Sequence, residues 1–182
     1  MNLLEVLTNK KEKIVTTWVE RTLDTYPSAD FFKQTENRFD NPVGVNIRTG
    51  LRKIFQLLVS EADPQEFAEP LDQIIRIRAV QDFTPAQAVA PLLELKWVVK
   101  QILSADEPCR PLLSELAPFD RDVDRIALTA FDIYMHCRDQ MYQARIRELK
   151  SGSYILTDAS CASAAVRENL QDINEIASLS GK

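Results

Sequence analysis

Two cations, Arg78 and Lys96, stand at positions where the helical pattern predicts apolar side chains. They lie in the segment "RIRAVQDFTPAQAVAPLLELKWVVKQIL", residues 76–103. Arg78 follows Leu71 and Ile74 in the apolar stripe of one helix, and Lys96 falls within the apolar arc of the next helix. A buried cation without a partner is strongly unfavourable, so each must reach solvent, pair with a carboxylate or meet an anionic ligand. Two hypotheses stay open: structural pairing of each cation, or a small anion-binding pocket that contains both.

The two cations differ in their local context. Arg78 occupies a last helical turn, where free carbonyls and the helix dipole favour a cation. The following "DFTPAQ" is typical of a helix start, with Thr84 as the cap and Gln87 as the residue that reaches back to it. Lys96 has no comparable local explanation. If the pocket exists, we expect Lys96→Ala to abolish anion binding while the fold stays intact.

The three cysteines, Cys109, Cys137 and Cys161, are odd in number and widely spaced. This pattern favours reduced thiols over a disulfide framework or a metal cluster. Cys137 lies in an apolar helical stripe, where cysteine usually acts as a small hydrophobic residue. Cys109 lies beside Arg110 in the turn-rich segment "DEPCRP", and a neighbouring cation can lower the pKa of a thiol. Cys109 is therefore a weak candidate for a redox-sensing residue in an exposed loop.

The single histidine, His136, limits the possible chemistry. At 100° per residue it falls opposite the apolar stripe of its helix, so we predict that it is exposed to solvent. Such a position argues against a histidine-bound haem and against a catalytic arrangement that depends on an imidazole. A haem-binding globin sensor nevertheless makes a simple prediction, a coloured protein whose Soret band is lost in His136→Ala.

Other catalytic and metal-binding patterns are missing from the sequence. Its four glycines form no phosphate-binding loop or dinucleotide motif. No glutamate precedes His136 by three residues, as a di-iron helical bundle would require. We therefore predict a protein that is not an enzyme and that has neither a cofactor nor a metal site.

Composition places the chain among globular proteins. Its 182 residues are 45% hydrophobic and 27% charged, which is enough for one core and is not typical of disorder. The formal net charge of −5 argues against binding to nucleic acid or to an anionic membrane surface. The amino-acid sequence contains neither a recognisable signal peptide nor an apolar run of about 18 residues that could span a bilayer. We expect a cytoplasmic protein with no membrane insertion.

The apolar periodicity predicts an all-α protein, a helical bundle of about six to eight helices. Helix starts are indicated at Asn2, at Asn41, at Asp63 and at Thr84, and the first helix should continue to about Tyr26. Within the helix that begins after Asn41, a glycine at position 50 indicates a close helix crossing or room for a ligand, and we favour the close crossing.

The longest helix should run from Asp120 to about Lys150, because acidic residues mark its start and basic residues its end. We expect one domain over residues 1–150. The remaining segment, 151–182, carries only a thin apolar stripe, so we interpret it as a C-terminal tail or accessory helix.

Three segments resemble a known family: "NPVGVNIRTGL", "RIRAVQDFTPAQAV" and "LLELKWVV". They are similar to the amino-terminal domain of RsbR/RsbRD-type co-antagonists of the stressosome, and the resemblance covers most of residues 10–150. It implies an all-α, globin-like fold without haem, a homodimer, and a sensory or regulatory role in stress-response signal transduction. It supplies no catalytic residues.

RsbR proteins carry a STAS domain with phosphorylatable Ser or Thr residues after this domain, and the residues after Lys150 are too few to form one. The resemblance therefore implies a stand-alone, non-enzymatic sensory domain that contacts a regulatory protein partner. A receptor for a small anionic ligand, with Arg78 and Lys96 at the pocket, is the alternative hypothesis.

Overall fold

Helix capping by short polar side chains sets where four of the described helices begin. Asn2 and Glu5 form the predicted capping box, and the Asn41 side chain accepts a hydrogen bond of 2.8 Å from the backbone N–H of Gly44. The Thr84 hydroxyl accepts from the backbone N–H of Gln87, whose side-chain oxygen accepts from the backbone N–H of Thr84. These three predicted starts are confirmed, and so is the fourth, since Asp63 and Glu66 form a capping box at the start of a 3-10 helix.

A computed structural model describes residues 2–34, 39–81 and 83–151. In these ranges the chain forms seven α-helices, two 3-10 helices and no strand, which confirms the predicted all-α bundle. The globin-like arrangement implied by the resemblance stays a prediction. The α-helices are α1 (Leu3–Asn9), α2 (Lys11–Leu23), α3 (Ala29–Gln34), α4 (Pro42–Val59), α5 (Ala68–Ala79), α6 (Pro85–Ser104) and α7 (Ala117–Ser151), and the 3-10 helices are Pro64–Phe67 and Glu107–Glu115.

The chain divides into two units, residues 1–140 and 141–182. The domain boundary expected at residue 150 stays a prediction. The predicted long helix is confirmed as α7. Of the predicted tail or accessory helix, residues 152–182 lie outside the described residues.

The first helix was predicted to continue to about Tyr26, and that prediction is wrong. Lys10 leaves the helical conformation, with φ −95° and ψ 7°, and separates α1 from α2. The Lys10 ammonium pairs with Asp106, which lies just before the second 3-10 helix. This contact joins residues far apart in sequence, so local periodicity could not indicate it.

The core of the first unit lies among α2, α4, α5 and α6, and one face of α7 adds to it. Trp18 of α2 and Phe55 of α4 are fully buried at its centre. The buried side chains of α7 repeat at helical spacing, which is why a single stripe of this helix contacts the core. These side chains are Val123, Ile126, Ala127, Ala130, Tyr134 and Cys137. In the part of the chain that the structure describes, no helix combines the length and apolar character needed to cross a membrane.

Gly50 lets α4 approach α5 closely, as predicted. A methyl group added at Gly50 would lie 2.7 Å from both Cδ1 and Cγ1 of Ile74 and 3.4 Å from the carbonyl oxygen of Pro70. Ile74 is itself 2% exposed and has a stiff, β-branched side chain, so it has little room to move away.

Gly50→Ala should destabilise the protein. Overpacking costs about 1–3 kcal/mol, and alanine regains about 1 kcal/mol in helix propensity, so we expect the free energy of unfolding to fall by about 1 kcal/mol. Urea denaturation measures the change. In an Ile74→Val background, which removes the Cδ1 methyl, the same substitution should destabilise less. An increase in stability in both backgrounds would contradict the close crossing.

Candidate functional site

Arg78 is fully buried, with 0% of its surface exposed. It lies in the last turn of α5, as the sequence indicated, but its guanidinium does not cap that helix. Instead, Nη2 donates to the hydroxyl of Thr25, 3.1 Å away, and to the backbone carbonyl of Gln87, 2.9 Å away. Thr25 follows α2 and Gln87 lies in the first turn of α6, so one guanidinium joins α5 to α6 and to the segment after α2.

The acceptor in α6 is available because of Pro91. In a regular α-helix, the carbonyl of residue 87 would accept from the backbone N–H of residue 91, and proline has no N–H. Pro91 lies inside α6 and therefore leaves the Gln87 carbonyl without its helical donor. Arg78 supplies that donor from another helix. The Pro91 carbonyl in turn accepts a 2.6 Å hydrogen bond from the indole nitrogen of Trp18.

Two aromatic rings flank the Arg78 guanidinium. Its central carbon lies 4.0 Å from the ring centroid of Phe83 and 4.9 Å from that of Tyr26. The two rings pack edge to face, with centroids 5.1 Å apart. Cation–π attraction offsets part of the loss of hydration. Burial lowers the pKa of Arg78, but the ordinary value is so high that the group stays protonated at neutral pH.

Several buried polar atoms around the Arg78 guanidinium have no hydrogen-bond partner among the described residues. Within the described residues, Nε and Nη1 of Arg78, the hydroxyl of Tyr26 and the side-chain oxygen of Gln81 are buried without a hydrogen-bond partner in the protein. Burial also raises the pKa of Tyr26, so its hydroxyl stays protonated and can donate. Beside these groups lies a cavity of about 500 Å³. Its lining residues are Thr25, Tyr26, Pro27, Ser28, Phe32, Gln81, Phe83 and Gln87.

The turn that connects α5 to α6 is held by α7. The hydroxyl of Tyr134 donates to the backbone carbonyl of Phe83 over 2.5 Å, and Arg138 donates to the carbonyl of Ala79 over 3.2 Å. Phe83 is the residue whose ring covers Arg78. The position of this aromatic ring is therefore fixed from two sides, by the guanidinium and by α7.

Lys96 is not among the residues that line the described cavity beside Arg78. Its ammonium lies 2.5 Å from a carboxylate oxygen of Asp124 on α7, and its side chain is 23% exposed. On α6 it follows Gln87, the partner of Arg78, by nine residues, which is about 13 Å along the helix. Lys96 therefore pairs with a carboxylate, as the hypothesis of structural pairing expects. The sequence could not identify Asp124, because the pairing crosses between two helices.

The environment predicted for Cys109 needs correction. The residue lies in a 3-10 helix rather than an exposed loop, and 3% of its surface is accessible. Burial, aided by a 3.3 Å contact with the carboxylate of Asp106, raises the pKa of the thiol instead of lowering it. The neighbouring Arg110 donates to the carbonyl of Ser104. The sequence argument relied on the adjacent cation and missed the carboxylate three residues earlier.

Two further predictions about single residues are confirmed. Cys137 is buried in the apolar stripe of α7, with 4% exposure, and burial raises the pKa of its thiol. His136 is exposed, and its Nε2 lies 2.9 Å from the side-chain nitrogen of Gln140. Over the described ranges, no group of three or more His, Cys, Asp or Glu side chains is placed to hold a metal ion.

A double-mutant cycle tests whether Arg78 replaces the donor that Pro91 lacks. Arg78→Met replaces the guanidinium with an apolar group on a flexible stem and leaves the Gln87 carbonyl without a donor. Pro91→Ala restores a backbone N–H at residue 91, which can donate to that carbonyl within the helix. We expect Arg78→Met to be about 1–2 kcal/mol more destabilising in the wild-type background than in Pro91→Ala. Chemical denaturation of the four proteins measures this coupling. Lys96→Met, which removes a cation from the same helix, should be additive with Pro91→Ala.

Cys109 should react slowly with thiol reagents. A raised pKa and a buried sulfur both reduce the accessible thiolate at neutral pH. Alkylation by iodoacetamide, followed by peptide mass spectrometry, should be much slower in the folded protein than in urea, and equally slow at Cys137. Modification of native Cys109 at the rate of the unfolded chain would support the redox-sensor hypothesis instead.

Comparison with known proteins places the chain in a family. A protein from Archaeoglobus fulgidus, named only as an uncharacterized protein, is 26% identical over 141 residues, which is 76% of this chain and 83% of the relative. No solved structure matches the chain. The family model described as the RsbT co-antagonist protein rsbRD N-terminal domain matches residues 12–149, and so confirms the resemblance drawn from the three motifs. The chain belongs to the rsbRD N-terminal domain family.

Proposed function

We propose that this chain is a non-enzymatic sensory or regulatory domain that acts through protein–protein contacts and pairs with a second copy of itself. Membership of the rsbRD N-terminal domain family supports a regulatory role. The observation that carries the proposal is an exposed apolar groove between α6 and α7, with a volume of about 840 Å³. Residues that line it are Thr84, Pro85, Ala86, Val89, Ala90, Leu93, Asp124, Ala127, Leu128 and Phe131.

The groove exposes side chains that a monomer would be expected to bury. Leu128 is 68% exposed, Phe131 is 43% exposed and Leu93 is 42% exposed. Apolar side chains that lie together at the surface are typical of a protein–protein contact. Leu128 and Phe131 are three residues apart on α7, so they lie on one face of that helix.

A second copy of the chain is the occupant that we propose. A two-fold axis brings the same surface of two subunits together, so a groove flanked by protruding apolar side chains can receive the equivalent side chains of its partner. Asp124, the one carboxylate in the lining, is already neutralised by Lys96 and so does not oppose pairing. The resemblance to RsbR-type domains implies a dimer as well.

The burial of the two described thiols and the exposed position of the histidine support a non-enzymatic role. The thiols of Cys109 and Cys137 are buried with raised pKa values, and the one histidine of the sequence, His136, lies on an exposed helical face. Nucleophilic catalysis requires an activated nucleophile beside a base, and these residues do not meet that requirement. Reduced thiols also support a cytoplasmic location.

The first turns of α6 offer a physical route for a signal. Gln87 lines the cavity beside Arg78, while Pro85, Ala86 and Val89 of the same turns line the apolar groove. A molecule or partner that shifts this part of α6 would therefore change both surfaces at once. We propose that the domain signals by this repacking, so that a regulatory partner detects the altered groove.

Leu128→Asp should separate the dimer. Leu128 is the most exposed of the large apolar side chains in the groove, and a carboxylate there would have to lose its hydration in the interface, which is strongly unfavourable. Light scattering should show the wild-type chain at twice its 20.7 kDa mass and the variant at the single-chain mass. Val80→Asp is the matched control, since Val80 is 62% exposed but lies outside the groove, and it should stay dimeric. A monomeric wild-type protein at micromolar concentration would contradict the proposal.

A further inference from the structure

We propose that the cavity beside Arg78 is a binding site for a small organic carboxylate with a planar, apolar body. A role of this site in sensing rests on the proposed regulatory function, whereas binding itself does not. The argument comes from the charge behind the cavity wall, from the unpartnered polar groups and from the aromatic lining.

Among the residues that the structure describes, the charge at this site has no counterion. Arg78 is fully buried, and within the described residues no carboxylate lies within ion-pair distance of its guanidinium. Two of its three nitrogens, Nε and Nη1, have no hydrogen-bond acceptor in the part of the chain that the structure describes. A buried cation in a medium of low polarity attracts an anion far more strongly than it would in water. The site therefore favours a negatively charged ligand over a neutral one.

The cavity wall lies directly against this charge. Thr25 and Gln87 both line the cavity and accept hydrogen bonds from Arg78, while Tyr26 and Phe83 line it and flank the guanidinium. Over the described ranges the Tyr26 hydroxyl has no hydrogen-bond partner, although the residue is only 4% exposed. It can donate a hydrogen bond to a ligand oxygen, and such a bond to a charged acceptor is stronger than one to a neutral acceptor.

The rest of the lining suits an apolar, planar group. Rings of Tyr26, Phe32 and Phe83 form much of the wall, and they pack edge to face around Tyr26. Aromatic walls bind flat apolar groups through burial and through ring contacts. The volume of about 500 Å³ is that of a small-molecule pocket. Inorganic phosphate could satisfy the charge but would leave these rings without a contact.

Binding can be measured directly by calorimetry and by ligand-observed NMR with benzoate, phenylacetate and indole-3-acetate. At least one of these carboxylates should bind saturably, at one site per chain. The corresponding neutral amide and inorganic phosphate should each bind at least about tenfold more weakly, as expected when a charge-assisted hydrogen bond or the apolar contact is lost. No saturable binding by any of the three carboxylates, or equal binding of the amide, would overturn the proposal. Binding of phosphate alone would overturn it too.

Two substitutions locate the site. Arg78→Met should weaken carboxylate binding by about tenfold or more, and Tyr26→Phe, which removes a single hydroxyl, by about fivefold. Lys96→Met is the matched control, because it removes a cation that pairs with Asp124 outside this cavity, and it should leave the affinity unchanged. Circular dichroism checks each fold. If Arg78→Met does not fold, Tyr26→Phe alone decides, and an unchanged affinity in that variant would reject the site.

The same measurements separate this proposal from the proposed dimer. Leu128 lies in the groove and not in the lining of the carboxylate cavity. Leu128→Asp should therefore bind the carboxylates with wild-type affinity even as a monomer. Loss of binding in that variant would show that the cavity does not act as a site within one chain, and would overturn the assignment.

Discussion

A hydrogen bond from Arg78 to the backbone carbonyl of Gln87 joins the end of α5 to the first turn of α6, beside the cavity that we propose as a binding site. The bond exists because Pro91 removes the donor that α6 would otherwise supply. It fixes a cation inside the protein, and that cation orients Phe83 and Tyr26 around itself. A single proline thus explains why the Gln87 carbonyl is free to accept a hydrogen bond from an arginine buried at the end of α5.

This bond also connects the cavity to the surface. The turn between α5 and α6 is held on one side by Arg78 and on the other by Tyr134 of α7. Beyond it, the first turns of α6 form part of the apolar groove. A change in the hydrogen bonding of Arg78 would act on α6 and on α7 together, and these are the two helices that form the groove. Such an arrangement suits a domain that converts binding of a small molecule into a change of protein contacts.

Local signals in the sequence predicted much of this fold. Capping residues marked the helix starts, the apolar stripes identified the helices, and a glycine inside α4 indicated the close crossing at Ile74. The exposure of His136 and the burial of Cys137 followed from their angular positions on α7. Each of these features depends on residues within a few positions of one another, so one sequence is enough to find them.

Contacts between distant segments were not predictable in the same way. The partner of Lys96 lies on α7, the break at Lys10 accompanies a pairing with Asp106, and Thr25 approaches Arg78 only after folding. One signal was available and was missed, since a proline inside a helical pattern leaves a carbonyl free four residues earlier. Pro91 leaves the Gln87 carbonyl free, and Arg78 stands in the apolar stripe of the preceding helix. Taken together, these two features of the sequence indicate where Arg78 donates a hydrogen bond.

Native-state hydrogen exchange of the backbone amides tests the central claim most directly. If Arg78 fixes α6 and its preceding turn, Arg78→Met should speed exchange in the first turns of α6, including the amide of Ala88, which donates to the carbonyl of Thr84. Amides of α4 around Leu51 should keep their wild-type rates. Unchanged exchange at α6, or an equal increase throughout the chain, would contradict the account.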